Sequence, residues 1–339
     1  MTAQAGNPEA PLLVAGRPRG QALRAMWRVL RRQRQAMLGV TVLAFFGVLA
    51  VLGPMIAGAV DDVGANRPLL PPSLEHLFGT DRAGRDLFLT NLWAARVSLL
   101  VGIVASVISI VIGTSVGIAA GYLGGASDAW LMRLTDFFYV LPTLVLALVL
   151  AAIVGASLTN VIVVIAIASW PSTARIIRSQ TLSIRERAFV DRARAYGSGN
   201  LRIMRRQVLP NVFGLVLANT TLTVAIAIYL ETTMSFLGVG PRDTFSWGRI
   251  LEEAFSAGAL TLGLWAWFVP PGLAVVLVVL AFTLVGSAFD EILDPRLRSR
   301  GGGPHGAGEV MAAERVGLDA DIASGRHAPA PTARPTEDP

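Results

Sequence analysis

The side chains able to do nucleophilic, acid–base or metal chemistry are few in this sequence, and their spacing assembles no catalytic set. Cys is absent, which excludes thiol nucleophiles, disulfides and Cys-rich zinc sites, and the three His (His76, His305, His327) are too scattered to form a metal cluster. Lys is absent too: all 29 basic residues are arginine. A phosphate-gripping GxxxxGK[ST] loop needs its Lys, as does a Schiff base, so the chain cannot hydrolyse ATP by that route. No cluster of His, Asp, Glu or Ser at catalytic spacing lies near an apolar run, which argues against an integral-membrane enzyme.

The charges that remain call for positions rather than reactions. Glu231 stands in an apolar run beside Thr232 and Thr233 with no basic neighbour. A lone carboxyl there must face a polar cavity or a protein partner, and a structural hydrogen bond to a neighbouring helix is one reading of it. Asp81, Arg82, Arg85 and Asp86, with Gly84 among them, alternate in sign just before an apolar run and are expected at the outer surface, paired with one another or with a partner subunit, with contact to the substrate as the alternative. Arg133 and Asp136, three apart on one helical face, read as an ion pair.

These residues are set among elements that only a membrane accommodates. The chain is 53% hydrophobic and 15% charged, against about 25% charged in soluble domains. Charge-free stretches run over 35–60, 97–127, 137–174, 207–230 and 254–289. A span needs about 20 apolar residues, so the third stretch, extended back to Trp130, holds two helices around a turn at Gly155-Ala156-Ser157. The fold class expected is therefore an all-α membrane protein with six transmembrane helices, near 37–59, 95–122, 130–154, 159–178, 212–236 and 264–288. The first is read as a retained helix rather than a cleaved signal.

Arginine sets the orientation. Seven arginines precede the first span, nine lie between Arg175 and Arg206, and Arg296, Arg298 and Arg300 follow the last span, so both termini are expected in the cytoplasm. The formal charge of +6 then reflects topology and contact with anionic membrane lipids, not nucleic acid. Residues 20–34 are either an interfacial helix or a basic tail, and 296–339 read as a disordered cytoplasmic tail. The domain layout expected is a basic segment at 1–36, a permease-like core at 37–295 with a cytoplasmic loop at 180–211, and that tail.

The cytoplasmic stretch Glu186–Asn211 is more than a connection. Two helical patterns, Glu186–Tyr196 and Asn200–Gln207, flank Gly197-Ser198-Gly199, and Pro210 is expected to stop the second before the fifth span. Ala193 and Gly197, four apart, are expected to share a face open to close approach by another protein. Asp191-Arg192-Ala193, Gly197 and Leu209-Pro210 resemble the EAA loop of ABC-importer permeases, with Asp and Arg in place of the usual Glu and first Ala. His76–Asp86 followed by Ala95-Arg96-Val97-Ser98-Leu99, the run Ser235–Gly240 with Ser246-Trp247-Gly248, and Leu293-Asp294-Pro295 resemble the C-type subunits of dipeptide, oligopeptide and nickel permeases. The likeness covers residues 74 to 295 in order.

This resemblance implies the type I importer-permease architecture, with the loop serving as a coupling helix seated on an ATPase subunit. It makes Glu231 a candidate translocation-path or gate residue, with the structural hydrogen bond to a neighbouring helix as the equal alternative. It implies a second homologous permease, one or two ATPase subunits that use ATP and Mg, and an extracytoplasmic solute-binding protein. The chain itself is then no enzyme, holds no cofactor and no metal, and forms half of a path for short peptides or a related small solute across the bacterial inner membrane. A self-sufficient secondary transporter or channel is the competing class. It predicts coupled intramembrane charges and related halves, neither of which this sequence displays.

Overall fold

Uninterrupted apolar runs fold as helices because lipid offers the backbone no hydrogen-bond partner. The computed structural model describes residues 33–57, 64 and 66–293. Its regular elements are α1 (Arg34–Ala57), α2 (Leu87–Leu123), α3 (Gly125–Val140), α4 (Thr143–Val154), α5 (Leu158–Arg185), α6 (Ala188–Ala195), α7 (Asn200–Ile203), a π turn (Met204–Val208), α8 (Leu209–Phe236), α9 (Trp247–Ser256) and α10 (Trp265–Leu293). No strand occurs among the described residues; one isolated bridge joins Thr80 and Asp86. The expected interfacial helix at 20–34, the end of the Leu293-Asp294-Pro295 motif and the tail at 296–339 lie largely or wholly outside the described residues.

Five helical runs are long and apolar enough to cross a membrane alone: α1, α2, α5, the run Asn200–Phe236 and α10. The third expected span is not straight. It breaks into α3 and α4, which meet at 89°, and counted as one span the bent pair brings the candidate crossings among the described residues from five to six. Pro142 causes the break: it cannot donate to the ladder, and Leu141 before it takes the extended conformation that a residue preceding proline prefers. The turn at Gly155–Ser157 stands where expected, with Gly155 at φ +93° and Ser157 capping α5 at the Asn160 amide.

Two boundaries differ from the expectation. α2 starts at Leu87, well before residue 95, because Asp86 caps it by accepting from the Phe88 and Leu89 amides. Pro210 does not stop the helix that precedes it. The π turn at 204–208 shifts the hydrogen bonding, with the Leu209 amide reaching back to the Met204 carbonyl. That register moves aside the carbonyl a proline ring would strike, and the helix runs on from Asn200 to Phe236.

α2 and α5 form the centre of the bundle. Gly113, Gly117 and Gly121 repeat every four residues along α2, and a Cβ at Gly117 would stand 2.6 Å from the Ala174 carbonyl oxygen of α5. At Gly113 it would stand 2.7 Å from the Trp170 carbonyl. Only glycine permits that approach, and close packing replaces the hydrophobic effect as the force between helices in lipid. α8 packs against α2 at Gly102 and Ile228, while α1 and α10 keep most of their apolar surface on the outside. Four apolar clusters follow among the described residues: one joining α1, α2, α8, α9 and α10, one joining α2, α4, α5 and α8, one beneath α6 and α7, and a small one of Ala36 and Ala288 between α1 and α10.

Candidate functional site

The residues singled out by the sequence collect at the two ends of the bundle, about 42 Å apart if α8 is measured at 1.5 Å per residue. At the end where α2 begins, Asp81 is almost fully buried. It accepts from the Ala83 and Arg85 amides and from Arg85 Nε at 2.6 Å. Arg85 continues to Glu253 of α9 at 3.3 Å, and Arg249 reaches the same carboxyl at 3.1 Å. Both guanidinium groups lie 4.6 Å from the centre of the Phe245 ring. Arg82 donates to the Ala257 carbonyl, Gly84 turns the chain at φ +77°, and Asp86 meets His76 Nδ1 at 2.7 Å while capping α2. The alternating charges thus pair with each other and with α9, and they pin the α2 entrance to the helix that precedes α10.

Glu253 is largely withdrawn from water. Burial raises its carboxyl above the ordinary range, and the two arginines pull it only part of the way back. Beside it lies a cleft of about 290 Å³ whose walls include Ser235, Gly240, Arg242, Arg249, Glu252 and Glu253.

Behind this cleft, Glu231 is 1% exposed. Ser235, one turn on in α8, donates to its Oε1 at 2.8 Å, and Ser98 of α2 donates to its Oε2 at 3.1 Å. Ser98 Oγ in turn accepts from the Trp247 amide at the first turn of α9. Glu231 therefore joins three elements through a short chain of hydrogen bonds. The glycines of the surrounding motif make room for it: a Cβ at Gly248 would collide with the Thr232 carbonyl, and one at Gly240 with Ser235. No sequence signal tied Ser98 to Glu231, since they stand 133 positions apart.

At the other end, α5 continues past the bundle and turns into α6. Val190 is fully buried on Ile184, Ile203 and Val208, so α6 and α7 sit on a core of their own rather than hanging as a loop. Arg194 donates to the Tyr122 hydroxyl at 3.4 Å, lies 5.2 Å from that ring's centre and pairs with Asp191 at 3.1 Å. Ala193 packs inward, and Gly197 ends α6 rather than sharing a helical face with Ala193. Its φ is +74°, its amide bonds to the Arg194 carbonyl and the Ser198 amide to the Ala193 carbonyl, the pattern of a left-handed helix stop. Asp191, Arg192, Tyr196 and Leu201 face outward, Tyr196 at 88% exposure. Leu209 is half-buried and Pro210 exposed at the start of α8.

Asp136 pairs with Arg175 of α5 at 2.8 Å instead of with Arg133, because α3 lays that face against α5. Asp128, one end further back on α3, holds Arg178 with two bonds of 2.6 Å. Among the described residues no group of His, Cys, Asp or Glu could hold a metal ion.

Residues 113–299 match the family model described as binding-protein-dependent transport system inner membrane component, and residues 22–72 match the N-terminal TM domain of oligopeptide transport permease C. The dipeptide transport system permease protein DppC of Bacillus subtilis is 36% identical over 80% of this chain and 85% of its own. The oligopeptide transport system permease protein OppC of the same organism is 32% identical over 79% of this chain and 88% of its own. A chain of the MetNI methionine ABC transporter, solved in inward-facing conformations, aligns at TM-score 0.47 and 21% identity over 61% of this chain and 94% of its own. The family-model match over more than half of the chain and the extent of the DppC and OppC matches establish that the chain belongs to the binding-protein-dependent transport system inner membrane component family, as a permease subunit of an ABC importer.

Proposed function

We propose that this permease carries short peptides, that it works with a second homologous permease, one or two ATPase subunits using ATP and Mg and an extracytoplasmic binding protein, and that α6 and α7 are where the ATPase docks. The observation that carries the reading is the seating of α6 on its own apolar core between α5 and α8. A rigid element fixed to two long helices passes a displacement at its outer surface to both, which a flexible connection does not. Asp191, Arg192, Tyr196 and Leu201 supply the exposed face that an ATPase groove would grip.

The arginines around α5, α6 and α7 put that end in the cytoplasm under the positive-inside rule. The α9 end is then extracytoplasmic and meets the binding protein. Peptide is the cargo named for the curated relatives, and the shared length of the chains supports carrying it over. The ion pairs of Asp81, Arg85 and Asp86 build the extracytoplasmic mouth, and Glu231 braces it from behind.

The test is reconstitution of the whole transporter in proteoliposomes, with peptide uptake and ATP hydrolysis followed together. Arg192→Glu and Tyr196→Ala, both at exposed positions, should uncouple hydrolysis from uptake by tenfold or more while the permease still assembles with its homologous partner. Uptake and hydrolysis that stay coupled in both variants would remove α6 as the docking element.

A further inference from the structure

The cleft behind α8 holds charges of both signs that the fold itself does not use. Arg249 and Glu253 are spent on each other, and Arg249 also donates to the carbonyls of Arg242 and Thr244. Arg242 and Glu252 are different. Among the described residues neither forms an ion pair, and the only bond to the Glu252 carboxyl comes from the Ser256 hydroxyl at 2.9 Å. Arg242 is exposed and Glu252 half-exposed, and both line the same space, one from the loop after α8 and the other from α9.

The walls are held rigidly. Ser235 lines the cleft and is fixed by the buried Glu231, which through Ser98 also ties down the first turn of α9. The Phe245 ring, with the Arg85 and Arg249 guanidinium groups against it, stiffens the loop that carries Arg242. A preformed cleft of about 290 Å³ is at the lower end of the size range for small-molecule sites. It suits a solute of dipeptide size, and a guanidinium and a carboxyl in its lining that are not paired with each other complement a solute that carries one carboxylate and one ammonium.

We propose that this cleft is an intake subsite for zwitterionic peptides, in which Arg242 receives the terminal carboxylate and Glu252 the terminal ammonium. The proposal rests on the reading of peptide as cargo. It assigns selection for free termini to the permease, in addition to whatever its binding protein selects.

The experiment uses the complete reconstituted transporter and three probes: the dipeptide Ala-Ala, its N-acetylated form and its C-amidated form. Each variant is expressed as the ratio of its uptake to wild-type uptake of the same probe, which cancels the preference of the shared binding protein. Arg242→Gln should lower uptake of Ala-Ala and N-acetyl-Ala-Ala about tenfold and leave the amide near the wild-type rate, and Arg242→Lys should recover part of the loss. Glu252→Gln should lower Ala-Ala and the amide, sparing the acetylated probe. Equal losses for all three probes, together with weaker association of the binding protein, would make the cleft a protein contact and overturn the proposal. Ratios near one for every probe overturn it as well. A wild-type transporter that takes up none of the three probes sinks the peptide reading itself, a result distinct from either of these.

Discussion

Ser98 of α2 donates its hydroxyl to Glu231 of α8 at 3.1 Å, and the same oxygen accepts the Trp247 amide of α9 at 3.2 Å. One serine thereby converts a buried carboxyl on a membrane helix into the fastening point of a helix outside it. Glu231→Gln keeps an oxygen for one serine and offers an amide to the other, whose hydroxyl can reverse its role, so it should cost no more than about 1 kcal/mol. Glu231→Ala leaves a cavity and unpaired serines and should cost about 3 kcal/mol. Thermal unfolding of the detergent-solubilised transporter measures both; equal losses would show that the amide cannot stand in for the carboxyl, and a loss under about 0.5 kcal/mol for Glu231→Ala would show that the hydrogen bonds do not matter.

The sequence alone revealed Glu231 as an anomaly but left two explanations open, because the residue that answers it lies in a different span. What was legible were properties local in the chain: apolar runs, the Gly155 turn, arginine bias and ordered short motifs. What was not legible depended on tertiary packing or on exceptions to local rules. Pro210 looked like a helix stop, and only a π turn lets the helix pass. Asp86 was read as half of an ion pair, yet its place just before an apolar run is an N-cap signal that would have moved the start of α2 to Leu87. Arg133 is the arginine nearest Asp136 in sequence, but α3 lies against α5 and Asp136 meets Arg175 there instead.

Along α2, glycines of equal chemistry should respond differently from one on α1. A methyl at Gly117 meets the Ala174 carbonyl at 2.6 Å and Ile177 at 2.9 Å, so α2 and α5 must separate. Gly117→Ala should destabilise by about 1–3 kcal/mol, the range for overpacking. Gly47 has nothing within 4 Å, and Gly47→Ala should gain about 0.5–1 kcal/mol from helix propensity. Opposite signs in the unfolding midpoints of the two variants are the expected outcome.

Gly197 should be sensitive to backbone geometry and indifferent to side-chain size. Its φ of +74° is strained for an L-residue, while a Cβ there meets nothing within 4 Å. Gly197→Ala and Gly197→Leu should therefore both fray the end of α6 at a cost of about 1–2 kcal/mol, and Gly197→Asn less. Hydrogen exchange at the Gly197 and Ser198 amides, whose bonds close the stop, reports this directly. A much larger effect for Leu than for Ala, seen only when the ATPase is bound, would instead reveal a tight contact at that position.

Glu253 gives the outer end a definite pH dependence. Burial outweighs the two arginines and holds its folded carboxyl above the ordinary value of 4.5, so the folded state binds this proton more tightly than the unfolded one. The associated stabilisation is fully present below 4.5 and is lost as pH rises through the folded value. Glu253→Gln removes that term. The difference in unfolding midpoint between wild type and variant should accordingly shift toward wild type as the pH is lowered from neutrality toward 5. A difference that stays flat, or moves the other way, would mean that Arg85 and Arg249 dominate the site.

The seat of α3 on α5 depends on charge. Arg178 makes two 2.6 Å bonds to Asp128 at the start of α3, and Arg175 holds Asp136 near its end. These pairs fasten α3 along α5 and leave Trp130, Phe137 and Val140 exposed on the far side. A bidentate, partly buried arginine pair resists substitution more than a single surface contact. Arg178→Ala should thus free the first turns of α3, whereas Arg175→Ala, whose pair is half-exposed, should act weakly. A spin label at Ala129 and another on the exposed Ser179 of α5 would broaden in distance only for Arg178→Ala. Restoration of the narrow distribution by the exchanged pair Asp128→Arg with Arg178→Asp would show that the charges, and not the bulk of the side chains, hold α3 on α5.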